Sequence, residues 1–236
     1  MPRLLLPLLL LLLTACAPLT LPAPAPGAAG GSEAQIRANR AARQFVEVVQ
    51  AVEPVAEREC RARTSGLNCD FTIVVDDRPD QAPNAFQTED RYGRPVIAFN
   101  IALINSVRNA DELAFIMGHE AAHHILDHLA KTRESATLGA VVFAGIAAIS
   151  GAEEEAVRNA EQLGAAVGAR TYSKQFELEA DQLGTVVAFR AGYDPLLGSA
   201  FFARIPDPGN RFLGSHPPNE ARARIVRETV AGLQAR

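Results

Sequence analysis

Four of the chain's five histidines lie within the stretch "GHEAAHHILDH" at 118–128. Here His119, Glu120 and His123 form an H-E-x-x-H pattern. On a helix, a spacing of four residues places both imidazoles on one face, one turn apart, where they can hold one metal ion. Two histidines do not complete a catalytic metal site, so another part of the chain must supply a ligand. The pattern therefore requires a fold in which a second element converges on this helix.

The third ligand cannot come from the metzincin continuation H-x-x-G-x-x-H, because "HILDH" follows His123 without a Gly at the required spacing. Glu is the usual third ligand in such sites. The downstream stretch "YSKQFELEADQLG" places Glu177 and Asp181 four residues apart, so one helix can present both carboxylates on one face. We predict that Glu177 binds the metal and that Asp181 accepts the free N–H of a ligand histidine. Glu179 is expected to point into solvent.

Glu120 follows the first histidine of the pattern, where it can contact a water on the ion rather than the ion itself. Zinc lowers the pKa of bound water to ~7, and Glu120 would take its proton and later pass it to a leaving amine. The alternative interpretation of the pattern is an ordinary polar helix face. His124 faces another side of the helix and His128 lies five residues beyond His123, so both are interpreted as packing or supporting residues.

The N-terminus, "MPRLLLPLLLLLLTACAPL", has the layout of a secretory signal, with Arg3, an apolar run over 4–13 and small residues after it. That run is too short for a membrane helix, which needs ~20 apolar residues. The Leu-Thr-Ala-Cys stretch ending at Cys16 resembles the bacterial lipobox, which implies cleavage before Cys16 and a lipid on its thiol. Because Ala and Pro follow at 17–18, rather than an Asp that retains such proteins at the inner membrane, we expect an outer-membrane lipoprotein facing the periplasm.

The sequence thus predicts a signal peptide at 1–15, a lipidated Cys with an uncharged Pro/Ala/Gly tether at 16–31, and a folded domain at 32–236. In an oxidising compartment, Cys60 and Cys69 are expected to form a short-loop disulfide. Free thiols remain the alternative, and a zinc site is disfavoured because no other His or Cys lies nearby. A net charge of −4 without a Lys/Arg cluster predicts no nucleic-acid partner.

The domain is predicted to begin with a helix that is capped by Ser32 and bends or ends at Pro54. Strands are predicted at 71–75 and 95–100, with an irregular polar segment between them. The most apolar internal stretch, 136–149, is short for a membrane span and is interpreted as a buried helix or hairpin. A segment that dips into a membrane is the alternative.

The motifs "GHEAAHHILDH", "YSKQFELEADQLG", "AGYDP" and "GSHPPNEAR", in this order, resemble zinc metallopeptidase family forty-eight, the HtpX and CAAX-prenyl-protease type. The resemblance covers about residues 35–230. It implies one zinc ion per chain held by His119, His123 and Glu177, with Glu120 as general base and acid.

The same resemblance implies an α+β, mostly helical fold of the zincin (gluzincin) type. We expect a small antiparallel sheet beside the metal-binding helix, with the substrate extended along an exposed edge strand at 95–99.

His216 and Arg222 match the H-P…R motif of this family. The resemblance implies that His216 either stabilises the oxyanion formed at the attacked carbonyl or occupies the fourth zinc position and keeps the resting enzyme closed. Arg222 would hold that loop or the substrate backbone. The alternative for His216 is a surface loop residue without a role.

These expectations together predict a zinc endopeptidase that hydrolyses misfolded or unassembled cell-envelope proteins. A latent or non-proteolytic, chaperone-like factor in outer-membrane protein assembly is the alternative, and a metal-binding structural domain is a weaker one. Glu120 argues against a non-proteolytic factor and against a structural domain, because a protein that only binds has no need of this carboxylate. A latent enzyme stays open, since His216 as a fourth ligand would explain latency without loss of the catalytic residues.

Overall fold

The computed structural model of the chain describes residues 32–204 and 217–235. The predicted signal peptide, Cys16, the predicted tether and His216 lie outside the described residues. The strands are β1 (Thr72–Asp76), β2 (Ala85–Glu89) and β3 (Pro95–Asn100). The helices are α1 (Glu33–Arg63), α2 (Ile101–Ser106), α3 (Ala110–Ile125), α4 (His128–Ile149), α5 (Glu154–Thr171), α6 (Ser173–Arg190), α7 (Pro195–Ser199), a 3₁₀ helix (Ala200–Arg204) and α8 (Asn219–Gln234). The predicted α+β, mostly helical class is confirmed.

The core is built around α3. Its residues Leu113 and Met117 have no exposed surface, and they share one hydrophobic cluster with Val48 and Val52 of α1 and Leu183 of α6. Burying such side chains is the main stabilising contribution in a domain of this size. Polar residues on α3 therefore sit in or near the core, where each needs a partner.

The sheet has the order β1-β3-β2. β1 pairs with β3 in parallel, and β2 pairs with β3 in the antiparallel sense, so the sheet is mixed rather than antiparallel as expected. β3 has a neighbour on both sides, and its backbone groups are used in these two ladders. The expectation that 95–99 forms an exposed edge is therefore wrong; among the described strands, β1 and β2 are the edges.

β2 lies in the segment that sequence patterns predicted to be irregular. Its polar residues form a strand because β3 offers a backbone partner, and because side chains fix both of its ends. Asp90 accepts hydrogen bonds from the backbone N–H groups of Tyr92 and Arg94 at the turn. Asn100 accepts from the N–H of Asn84 at 3.0 Å and donates to the carbonyl of Ala82 at 2.7 Å. This amide anchors the chain just before β2.

α1 continues through Pro54, where the sequence predicted a bend or an end. A proline inside a helix removes one backbone hydrogen bond and costs ~3 kcal/mol. Buried residues on both sides of it, Val52 and Val55 among them, hold the helix against the core. Tertiary packing thus outweighs the local preference.

The apolar stretch at 136–149 lies within α4, which pairs with α5 as a helical hairpin. The stretch is helical, which is one of the two predicted alternatives, but the expected burial is wrong, because His128 is the sole buried residue of α4. Among the helices in the described ranges, α4 alone is long and apolar enough, by length and composition, to cross a membrane.

Cys60, near the end of α1, and Cys69, just before β1, are joined in the structure with their Cα atoms 5.7 Å apart. Both side chains are buried. The bond connects the first helix to the sheet across a loop that contains the left-handed Gly66.

We expect the Cys60→Ser, Cys69→Ser double variant to lose ~2–3 kcal/mol in the free energy of unfolding, because the crosslink restricts the unfolded chain. Urea unfolding with and without a reductant measures this loss. The reductant should destabilise the wild type and leave the variant unchanged, and a wild type indifferent to reductant would contradict the prediction.

Candidate metal centre

Three side chains from two helices meet at one point. His119 and His123 project from α3 with their Nε2 atoms 3.1 Å apart. Glu177 projects from α6 with carboxylate oxygens 3.6 Å from Nε2 of His119 and 3.4 Å from Nε2 of His123. In a tetrahedral zinc site with ligands ~2.0–2.1 Å from the ion, ligand atoms are separated by ~3.3 Å. The observed separations lie near that value, although the two imidazoles face different oxygens of Glu177. In the described part of the chain, this is the group that could hold a metal ion.

The two helices come this close because glycines lie at their contact. A Cβ on Gly118 of α3 would lie 2.7 Å from the carbonyl oxygen of Gly184, and a Cβ on Gly184 would lie 2.7 Å from the backbone nitrogen of His119. Neither contact is compatible with a side chain, because backbone atoms inside a packed core have nowhere to move. The glycines therefore set the separation between the histidines and Glu177.

Asp181 lies one turn after Glu177 on α6 and is fully buried. Its Oδ1 lies 2.9 Å from Nδ1 of His119. Arg222 of α8 donates two hydrogen bonds of 2.7 Å to the same carboxylate, and its guanidinium lies over the ring of Phe202. The carboxylate thus fixes the His119 ring, and Arg222 fixes the carboxylate.

The charges in this group shift two pKa values in opposite directions. Burial raises the pKa of Asp181, but hydrogen bonds from Arg222 and His119 outweigh it and hold the pKa below its ordinary value. Burial lowers the pKa of His119, but the hydrogen bond to Asp181 and the charges of Asp181 and Glu177 outweigh it, so the pKa is raised. Asp181 is therefore ionised at neutral pH, and Nδ1–H of His119 donates to it. That tautomer leaves the Nε2 lone pair facing the metal position.

His123 has a corresponding support on its other nitrogen. Its Nδ1 lies 3.0 Å from Nδ1 of His128, and Nε2 of His128 lies 3.1 Å from a carboxylate oxygen of Glu179. Burial and the neighbouring His123 lower the pKa of His128 to about 4, so it is neutral. It donates through Nε2 to Glu179 and accepts through Nδ1 from His123, which leaves Nε2 of His123 free for a metal. The His128 ring stacks on Phe176 at 4.5 Å.

His128 has the supporting position expected of it, but its contact with His123 was not expected, and the expectation that Glu179 points into solvent is wrong. The prediction treated the whole stretch as one helix, on which a spacing of five residues lies off the metal face. The structure ends α3 at Ile125, and Asp127 takes a left-handed conformation with φ of 56°. This break returns His128 towards His123. Glu179, expected in solvent, contacts His128 instead, and the stretch carried no signal for either contact beyond the presence of the residues.

His124 lies on a different side of α3, as its position in the helix predicted. Its Nε2 is 2.7 Å from the backbone carbonyl of Asn68, and its ring meets Phe71 edge to face. It belongs to the packing between α3 and the chain that enters β1.

Glu120 is half-buried and lines a cavity of about 490 Å³ that also borders His119 and Glu177. The cavity has an aromatic part, formed by Phe115, Phe201 and Phe202, and its rim includes the chain at 82–85 that leads into β2. Glu120 therefore lies on the open side of the metal-binding group, where a substrate and water would enter.

The structure brings together His119, Glu120, His123, Glu177, Asp181 and Arg222 from α3, α6 and α8. Arg222 donates to Asp181, lies 3.8 Å from a carboxylate oxygen of Glu177, and lines the same cavity as Glu120. His216 and the lipidation candidate Cys16 lie outside the described ranges, and their predicted roles stay predictions.

Residues 42–230 match the sequence pattern of Peptidase family M48. A Vibrio cholerae protein with the provisional name β-barrel assembly-enhancing protease is 32% identical over 146 residues, which is 59% of this chain and 29% of that protein. The Escherichia coli β-barrel assembly-enhancing protease is 28% identical over 52% of this chain and 26% of its own length. The bovine mitochondrial metalloendopeptidase OMA1 is 30% identical over 62% of this chain and 28% of its own length. The chain spans less than a third of each of these relatives.

We expect Gly184→Ala to weaken both folding and metal binding, because the new methyl group would meet the His119 backbone. A loss of ~1–3 kcal/mol in the free energy of unfolding is typical of such overpacking. Gly232→Ala on α8 is the matched control, since a Cβ there meets no atom within 4 Å. Thermal unfolding and zinc titration of both variants measure the difference, and equal behaviour of the two variants would contradict the role of Gly184.

We expect His128→Leu to lower zinc affinity ~10–100-fold, because His123 loses the acceptor that fixes its tautomer. His128→Asn, which keeps an acceptor near the same place, should recover part of the affinity. His124→Leu removes an equally buried histidine that contacts backbone instead, and should leave zinc affinity unchanged. Competition titrations with a chelating dye measure all three, and a loss as large in His124→Leu as in His128→Leu would refute this assignment.

Proposed function

The chain belongs to peptidase family M48, a family of metallopeptidases, and from that premise we propose that it is a zinc-dependent endopeptidase of the cell envelope. The observation that carries the proposal is the group of His119, His123 and Glu177, with ligand atoms 3.1–3.6 Å apart, beside a cavity lined by Glu120. A purely structural metal site has no use for a carboxylate on its open side.

His119, His123 and Glu177 would hold the zinc ion. When bound at such a site, zinc supplies Lewis acidity, which lowers the pKa of water towards ~7 and polarises a carbonyl group. Glu120 then accepts the proton of the attacking water and later donates it to the leaving amine. Asp181 and the His128–Glu179 pair keep the two imidazoles in the required tautomers throughout.

The substrate chain is proposed to add to the free edge of β2. Among the described strands β2 has one neighbour, and the cavity that contains Glu120 borders the residues leading into it. Backbone hydrogen bonds to an edge strand bind an extended polypeptide with little dependence on its sequence. The aromatic part of the cavity, with Phe115, Phe201 and Phe202, would accept an apolar side chain next to the scissile bond. An unfolded protein offers both features.

Arg222 is proposed to act mainly through Asp181, to which its largely buried guanidinium donates two hydrogen bonds. Because it also lines the cavity, contact with the substrate backbone is the alternative role. His216 is proposed either to stabilise the oxyanion or to occupy the fourth position on the metal. The two roles predict opposite effects of His216→Ala on proteolysis, a fall in the first case and a rise in the second.

The lipobox-like Cys16 and the relatives support a proposal for the cellular role. The Escherichia coli relative is named for enhancing β-barrel assembly, and a lipid at Cys16 would hold this chain at a membrane facing the periplasm. We propose misfolded or unassembled envelope proteins as its substrates.

We expect the wild-type protein to cleave an unfolded model protein, with all activity removed by a chelator and restored by zinc. Glu120→Gln should lower kcat by ~10²–10⁴-fold, because it removes the general base. Zinc content should stay unchanged, since Glu120 is not a ligand.

Glu161→Gln, an exposed carboxylate of α5, is the control and should keep full activity. A Glu120→Gln variant that cleaves as fast as this control would count against the proposal. The absence of cleavage by both the zinc-loaded wild-type protein and the zinc-loaded His216→Ala variant would also count against it.

A further inference from the structure

The α4–α5 hairpin carries the largest group of exposed apolar side chains in the described structure. On α4, the exposed fraction is 64% for Leu138, 65% for Val141, 61% for Ile146 and 90% for Ile149. Their spacing follows one face of a helix, and no charged residue occurs from 135 to 152. Exposed apolar faces of this kind mark a surface that meets something other than water.

The packing of α4 against α5 indicates what kind of surroundings the exposed apolar face of α4 favours. The contact between them is made by small residues: a Cβ on Gly139 or on Gly164 would lie only about 2 Å from the other's backbone oxygen, and Gly168 approaches Ser135 as closely. Gly164 and Gly168 form a G-x-x-x-G pattern. Helix pairs in water bury their large apolar side chains against each other. This pair puts its backbones in contact and its large side chains outside, the arrangement found where lipid surrounds helices.

The charged residues of α5 limit how deeply the α4–α5 hairpin can insert into a bilayer. α5 begins with an acidic cluster at 153–155 and continues with Arg158 and Glu161, all exposed. Charged side chains at the centre of a bilayer are strongly unfavourable, so the hairpin cannot cross it as a pair. It can lie along the surface, with the α4 face in the lipid and α5 towards water, as interfacial helices do.

The predicted lipid anchor at Cys16 would place a membrane close to the domain. Cys16, the lipidation candidate, precedes Ser32 by sixteen residues. An extended chain of that length reaches at most roughly 55 Å. α4 itself, with 22 residues, is ~33 Å long. A domain tethered through Cys16 would hold its hairpin within reach of the same membrane.

We propose that the outward face of α4, defined by Leu138, Val141, Ile146 and Ile149, binds the acyl-chain region of the membrane surface to which the chain is tethered. α4 starts at His128, which hydrogen bonds to His123, so lipid contact would also fix the orientation of the candidate metal centre relative to the membrane. This inference concerns where the domain sits and does not depend on whether it cleaves peptides.

The sequence offers a direct test because it contains no tryptophan. Ile146→Trp creates a single fluorescent reporter on the α4 face. The full chain with its own N-terminal cysteine is reconstituted on vesicles of phosphatidylethanolamine and phosphatidylglycerol whose acyl chains carry bromine, a short-range quencher. Leu197→Trp on α7, where the native leucine is 53% exposed, is the matched control.

We expect Ile146→Trp to show blue-shifted emission that bromine quenches by about half or more, as for a side chain below the headgroups. Leu197→Trp should show water-like emission with little quenching. Adding Val141→Ser and Ile149→Ser to the Ile146→Trp chain should abolish the quenching without loss of helix by circular dichroism. Adding Leu196→Ser and Leu197→Ser instead should leave it intact.

Three results would overturn the proposal. Equal quenching at 146 and 197 would mean that the tether alone brings the domain to lipid. A blue shift that appears without vesicles and grows with protein concentration would assign the face to a second copy of the chain. An unquenched reporter whose emission shifts when an unfolded polypeptide is added would assign it to substrate.

Discussion

The structure depends on one buried carboxylate. Asp181 has no exposed surface and joins three helices, because it lies on α6, accepts from His119 of α3 and from Arg222 of α8. A buried charge without its partners is strongly unfavourable, often by 3–5 kcal/mol. The three helices must therefore be in place together, and the arrangement that satisfies Asp181 is also the one that aims His119 at the metal position.

Each histidine of the metal-binding pair has its own carboxylate, and the two supports differ. His119 donates directly to a carboxylate held by an arginine. His123 reaches Glu179 through the neutral His128, which stacks on Phe176. Both routes give the same result, a ring with its proton on Nδ1 and its lone pair on Nε2. The second route runs from His128, the first residue of α4, to a partly exposed glutamate of α6, whereas Asp181 in the first route is fully buried.

The glycines of this chain make two different kinds of helix contact. At Gly118 and Gly184, two helices of the core approach so closely that three ligand atoms meet. At Gly139 and Gly164, a hairpin outside the core closes on itself without using its large apolar side chains. The first contact places the candidate metal ligands, and the second leaves an apolar face exposed in the described part of the chain. The same residue type thus serves the candidate metal centre and the surface that we propose for lipid.

The sequence by itself determined the residues that meet at the metal position. A four-residue spacing on a helix is a local property, so H-E-x-x-H fixed the geometry of His119 and His123, and the same spacing on a second helix linked Glu177 to Asp181. It also determined the α+β, mostly helical class.

Tertiary structure decided what depends on pairing between distant segments. β3 became the central strand and β2 an edge because of which strands met, and α1 ran through Pro54 because the core held both of its halves. His128 reached His123 because the helix broke at Asp127, and α4 stayed uncovered because its neighbour packed through glycine. The periodicity of a sequence indicates which residues share one face of a helix or strand. Which other segment packs against that face depends on contacts made across the whole chain.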